Sequence, residues 1–425
     1  MMRVTLFSVA MAFLIGVCVP WPLYGQNWPR FRGPNGTGVS GLKGIPATWS
    51  PGDVAWTAEL PGVGHSSPVI WDDHVFVTSA VDEGAVRFVI CLGAETGQVR
   101  WIRSIGMNRS HKHLRNSWAS STPVTDGQRV YVTFADAESY LVTAYDFDGN
   151  LVWRRHLGRF ESQHNLGASP MIHEELLIVP NDQVGPSFMT ALDRRTGRTR
   201  WRVLRQSRET SYATPMVIRD AAGVEQLICV SGAMGITSLD PHTGRRNWAT
   251  GAFPLRTVGS PVYGGGLVIA SCGQGGRYGV LQIAVDPSLG PETPRETRIR
   301  WSRKKVIPYV PTPVVHAGYL FEWTDQGLAA CVDLKTGIDV WKRRIGGNFS
   351  GSPVCIDGKL YAISDAGDVV VIAASPRFRL LGRTPLDDPS RATPAVAHGR
   401  LYLRTYHRLT CVAARPSEAT AENSR

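Results

Sequence analysis

Beyond residue 19 this sequence has no apolar run long enough to cross a bilayer, a task that takes about 20 consecutive apolar residues. Cysteine is scarce: seven in 425 residues, no two adjacent and none in a Cys-x-x-Cys pair. That excludes a vicinal disulfide and the usual dithiol or zinc-ribbon spacings. There is no His-Glu-x-x-His and no Gly-x4-Gly-Lys-Ser/Thr loop, so helix-borne zinc hydrolysis and Walker-type phosphate binding lack their carriers. Lys and Arg exceed Asp and Glu by 11, yet they form no basic block. The excess reads as a basic, solvated surface, and nucleic acid is not an expected partner.

What is present begins with a leader. Arg3 precedes the apolar run 6–19, followed by Pro20, Pro22 and Gly25, the pattern of a secretory signal peptide cut near Gly25 or Gln26. Cys18 does not read as a lipid-anchoring cysteine, because Val17 stands where a small residue is wanted. The expected organisation is a signal peptide over 1–26, one domain over 27–414 and a polar tail over 415–425. The expected location is the periplasm or cell envelope. The six later cysteines, Cys91, Cys229, Cys272, Cys331, Cys355 and Cys411, are far apart in strand-like runs and read as buried free thiols.

The 44 glycines and 28 prolines are not gathered in a linker but punctuate short apolar runs, which favours many strands. One unit recurs. A Ser/Thr-Pro-apolar strand opens at Pro68, Pro123, Pro170, Pro215, Pro261, Pro313, Pro353 and Pro394, and repeats of about 40–50 residues mark propeller blades. Most units close on a Thr-Gly or Asp-Gly turn and a tryptophan: Trp101, Trp153, Trp201, Trp248, Trp301 and Trp341. Glycine supplies the positive φ of the turn. The indole can then lie between blades, where burying about 200 Å² is worth at most ~5 kcal/mol. The seventh unit has Leu381 instead, which predicts a weaker contact. The eighth lacks a fourth strand, while the orphan strand VAWTAEL (54–60) carries Trp56 in the fourth-strand register. The fold expected is therefore all-β: an eight-bladed propeller of four-stranded antiparallel blades, closed by residues 54–60 in the last blade, which removes the free edges.

These repeats resemble the PQQ-like propeller family of quinoprotein alcohol dehydrogenases and the assembly factor BamB. The fragments NWPRFRGPNGTG (27–38), HLRNSWASSTPVTDG (113–127), SQHNLGASP (162–170), NDQVGPSF (181–188), YVPTP (309–313) and GGNFSGSPV (346–354) are similar to an exported subfamily of planctomycete-type bacteria. The resemblance is specific for fold and weak for activity. A quinoprotein dehydrogenase implies pyrroloquinoline quinone held by calcium, a carboxylate base and usually a vicinal disulfide, which is missing here.

In a four-stranded meander, the connections into each proline strand share a face with the loops between second and third strands. That face carries His113, Asn116 and Trp118, then Gln163, His164, Tyr212, Arg256, Tyr309, Asn348 and Phe349. Its loops add Asn181, Asp182, Arg277, Tyr278, Asp325, Tyr406 and His407. The ten ligand-site candidates are His113, Asn116, Gln163, His164, Asn181, Asp182, Tyr212, Tyr309, Asp325 and Asn348, converging on the channel mouth. No metal site is expected; His111 and His113 lack an acidic or cysteine partner, and GQGGRYG (273–279) reads as a turn. The function expected is non-enzymatic: a monomeric, BamB-like binding or scaffold protein without cofactor, whose partner is an envelope protein, a small ligand or a glycan. Peripheral membrane association is compatible with it. The alternatives are a PQQ- and calcium-dependent dehydrogenase using Asp182 or Asp325 as base, and a carbohydrate-binding propeller using Trp118, Tyr212, Tyr278 and Tyr309.

Overall fold

Each predicted repeat forms one four-stranded antiparallel meander, and eight of them make the ring. The computed structural model describes residues 27–206, 208–274 and 280–414. The proposed leader, the polar tail, and Arg277 and Tyr278 lie outside the described residues. Blade one runs through Val69–Trp71, His74–Val81, Val86–Gly93 and Val99–Gly106. Its middle strands are largely buried on both faces because a neighbouring blade covers each face. The outer strand buries little beyond Trp101. Among the described residues no helix is long and apolar enough to span a membrane. The six described cysteines are single and buried in the blades, as expected.

The ring closes as the sequence predicts. Val54–Glu59 pairs antiparallel with Arg408–Ala413, Trp56 opposite Cys411. An unforeseen two-residue strand, Val39–Ser40, pairs in parallel with Val354–Ile356 and gives blade seven a fifth strand.

The tryptophans dock as a repeated contact. Indole Nε1 donates to a turn carbonyl of the next blade: Trp56 to Ala94 at 3.1 Å, Trp101 to Phe147 at 2.7 Å, Trp153 to Arg194 at 3.0 Å, Trp201 to Pro241 at 3.1 Å and Trp301 to Leu334 at 2.9 Å. The turn glycine is constrained twice. Gly197 has φ +69°, and a Cβ there would stand 2.7 Å from the Trp153 ring. The one turn rebuilt by a long insertion, in blade five, has no such glycine. Arg298, from its short helix Arg295–Arg298, lies 4.5 Å over the Trp248 ring, and Trp248 Nε1 donates to Gln226 instead. The register corrects the reading of blade seven: Gly382, opposite Val371, holds the tryptophan position and Leu381 is the bulge residue before it, where the next blade has no covalent third-to-fourth-strand turn to receive an indole. Its blade edge is covered instead by residues 45–49, with the Ala47 carbonyl pressed against Gly382.

The segment 27–38 has the role the sequence did not disclose. It crosses one end of the central channel as a plug. Trp28 bridges Ile70, and the Pro29 carbonyl accepts from Thr125 N. Arg30 donates to the Pro215 carbonyl (2.7 Å), and Asn35 to that of Val217 (2.7 Å). Arg32 is fully buried and donates to the carbonyls of Thr312 (3.0 Å), Pro313 (2.7 Å) and Pro353 (3.1 Å). The channel is therefore blind, and only its opposite end can serve as a mouth.

Candidate functional site

The wall of the channel is built by the residue before each strand-opening proline. These eight residues are Ser67, Thr122, Ser169, Thr214, Ser260, Thr312, Ser352 and Thr393. The backbone N–H of each donates to the hydroxyl of the next at 2.9–3.1 Å through seven successive links, from Ser67 N to Thr122 Oγ1 as far as Ser352 N to Thr393 Oγ1. An innermost strand has no backbone neighbour on its channel side, and this circle of side chains supplies one. Proline follows because it brings no further N–H to satisfy. The repeated Ser/Thr-Pro pair was visible in the sequence; its reason was not.

Above the hydroxyl circle the channel opens into a funnel of about 550 Å³, with Phe31 of the plug among its lining residues. Five of the ten candidates line it: His113, Asn116, His164, Tyr212 and Tyr309. Asn116 also ties two connections together, donating to the Leu166 carbonyl (2.8 Å) and accepting from Trp118 N (2.8 Å). Two more pair with lining arginines. Asp325 holds Arg115 at 2.7 Å and accepts from the backbone N–H of Tyr309 and Val310, and Gln163 accepts from Arg256.

Three candidates do not reach the funnel. Asn181 is buried inside blade three with neither side-chain atom hydrogen-bonded. Asp182 is committed to buried Arg205 at 2.6 Å. Asn348 is exposed and uses its carbonyl on Asp365 N. The first two were misplaced because they end a strand, where one residue of register separates the channel from a blade interface. Trp118 is a further correction: it packs beside Gly84, under Lys112, and donates to the Ser110 carbonyl, so the aromatic set proposed for sugars loses a member.

Arg115, Arg391 and His65, which the sequence reading left out, join Arg256, His113 and His164 in setting the electrostatics of the site. Arg115, Arg256 and Arg391 line the funnel with His65, His113 and His164. Among the described lining residues there is no carboxylate; Asp325, Glu209 and Asp365 each sit behind one arginine. The histidines are held neutral. Burial first, then Arg256 and the neighbouring histidines, push His164 down to about 4. Arg256 Nη1 lies 3.1 Å from His164 Nδ1, and since guanidinium can only donate, that nitrogen must accept. The Tyr212 hydroxyl is 3.0 Å from the same nitrogen. Burial, Arg391 and Arg404 push His65 down to about 3. Its Nδ1 is 3.2 Å from the Arg115 carbonyl, its Nε2 has no partner, and its ring lies 5.0 Å from that of Tyr406.

The depressed values fix a pH dependence. In the unfolded chain these imidazoles titrate near 6.5, so over the interval below that value the unfolded state takes up protons that the native state refuses. Their contribution to stability is complete above about pH 6.5 and is lost as pH falls toward about 4 for His164 and about 3 for His65. The melting temperature should fall across this window, and a His65→Gln variant should fall less; an identical slope in the variant would remove His65 from this account.

The family profile described as outer membrane protein assembly factor BamB, of the PQQ-repeat class, matches residues 86–343, more than half of the chain. The chain belongs to this family. Among solved structures, a europium-containing methanol dehydrogenase superposes with TM-score 0.70 at 11% identity, over 92% of this chain and 98% of that one. BamB from Moraxella catarrhalis gives 0.62 at 14% identity, over 86% and 98%. The quinohemoprotein alcohol dehydrogenase from Comamonas testosteroni gives 0.65 at 13% identity, over 92% and 81%. At these identities the likeness shows the fold alone. No curated protein sequence matches the chain.

A quinone held by calcium can be tested against these residues. Calcium takes six to eight oxygen ligands with carboxylates prominent, whereas the described funnel lining offers hydroxyls and the amides of Asn116 and Gln274 but no carboxylate. The two acids foreseen as bases are bound by arginines, Asp182 outside the funnel and Asp325 behind its wall. The donor set does not fit the metal-held cofactor.

Proposed function

We propose that the chain is an exported, non-enzymatic binding propeller whose funnel receives a small organic anion, free or as the carboxylate end of a protein partner. The observation that carries this reading is the lining: three arginines, three imidazoles held neutral by burial and neighbouring cations, and no described carboxylate. Planar guanidinium forks match carboxylates two hydrogen bonds at a time. The blind end supports a terminal group entering and stopping over a polypeptide that threads through. Export and the planctomycete-type grouping belong to the same reading, resting on the leader and on the fragments around the plug and the mouth.

The test is a thermal-shift and calorimetry panel of di- and tricarboxylates, peptides with free or amidated C-termini, neutral oligosaccharides, and PQQ with calcium. Carboxylates and free C-termini should raise the melting temperature, while amidated peptides should not. Stabilisation by neutral sugars with none by any anion would overturn the reading in favour of a glycan site. Quinone absorbance with dye-linked alcohol oxidation would overturn it in favour of the dehydrogenase.

A further inference from the structure

On the plugged face, blades three and four meet through turns that depart from their own repeat. Where the Asp-x-x-Thr-Gly turn carries Arg195 in blade three and Lys335 in blade six, blade four carries His242. Opposite it, blade three ends its innermost strand Met171–His173 on His173 and turns through Glu174. Blade four begins its second strand, Glu225–Ser231, with Glu225. One ligand atom from each of His173, Glu174, Glu225 and His242 lies within 4.8 Å of the other three.

The separations approach those of a coordination shell. His173 Nε2 is buried, has no hydrogen bond, and lies 3.3 Å from Glu225 Oε2. His242 Nε2 is 3.7 Å from the same oxygen, and its Nδ1 is 3.9 Å from Glu174 Oε2. Zinc bonds of about 2.0–2.2 Å to nitrogen and oxygen put tetrahedral ligands roughly 3.3–3.5 Å apart, so closing separations of up to 4.8 Å needs the widest pair to approach by up to about 1.5 Å, with one His242 nitrogen as ligand. Arg219 Nη2 donates to the other oxygen of Glu225 at 2.5 Å and fixes the carboxylate from behind, the role outer-shell partners play at metal sites. Two neutral imidazoles and two carboxylates balance the charge of a divalent cation, and imidazole-carboxylate sets favour zinc and its late transition-metal neighbours over calcium or magnesium. No motif announces this cluster, since the four residues come from three separate turns or strand ends.

We propose that His173, Glu174, Glu225 and His242 bind one divalent transition-metal ion of the zinc class, which clamps blade three to blade four on the face away from the funnel. The experiment uses the untagged full chain after chelator treatment. Zinc should bind at one equivalent with micromolar affinity or better and raise the melting temperature. Cobalt at the same site should show the intense visible bands of four-coordinate geometry. His242→Ala, at a half-exposed turn position, should leave the metal-free melting temperature unchanged and weaken zinc binding at least tenfold; Glu174→Gln, also exposed, provides the second variant. Equal zinc stoichiometry and thermal shift in wild type and both variants, or no binding by the wild type, would overturn the site. Neither result bears on the funnel, where anion binding is measured on protein stripped of metal and then freed of chelator.

Discussion

Replacing Arg32 with Met should destabilise the protein by roughly 3–5 kcal/mol, the cost expected when one partner of a buried charged network is removed. The plug guanidinium has no carboxylate beside it; its partners are carbonyls of Thr312, Pro313 and Pro353 from the innermost strands, with Gly36 and Thr37 of its own segment. Burial lowers its pKa to about 9, still well above neutrality, so it remains a cation. Met fills much of the space but leaves the inter-blade carbonyls of blades six and seven without donors at a buried channel end. Equilibrium denaturation checks the loss, and Arg32→Lys should recover only part of it, because one ammonium cannot reproduce a planar fork reaching two blades. A loss below about 1 kcal/mol, the scale of an ordinary hydrogen bond, would mean that the plug rests on the channel without fastening it.

The second large effect concerns the funnel. Under the proposed anion-binding function, Arg256→Gln together with Arg391→Gln should weaken binding of a dicarboxylate probe by roughly 100-fold or more, since each hydrogen bond to a charged group is worth about 1.5–3 kcal/mol and 1.4 kcal/mol is a factor of ten. A built-in control comes with Arg256. It is the largest cause after burial of the low His164 pKa, so the single Arg256→Gln variant should raise that pKa from about 4 toward the ordinary imidazole range. A bound carboxylate in the wild type should raise it too, because an anion favours imidazolium. NMR titration of the imidazole reads both. Retained affinity together with the expected pKa rise would show that the arginine tunes His164 without holding the ligand.

How much of the site was legible can be read residue by residue. His164, Tyr212 and Tyr309 line the funnel because connectivity sends the segment before each proline strand to the channel mouth. Asn181 and Asp182 were misplaced because strand ends reverse the side-chain direction at each residue. Arg115 and Arg391 passed as ordinary charged residues, and only the fold brings Arg115 to Asp325 across 210 positions of sequence. His65, just before the first proline, sits in a segment that connectivity also sends to the mouth, and that signal was available.

By itself the sequence determined the number of blades, the meander within each, the tryptophan contacts and the closure of the ring by residues 54–60. These follow from local periodicity repeated eight times, where each unit specifies its neighbour through the same few contacts. Tertiary structure alone decided that residues 27–38 stop one end of the channel, that three arginines share a funnel, and that two histidines and two glutamates meet between blades three and four. Those groups occur once each, at unrelated positions, and no period in the chain encodes a distance between residues that only the closed ring makes adjacent.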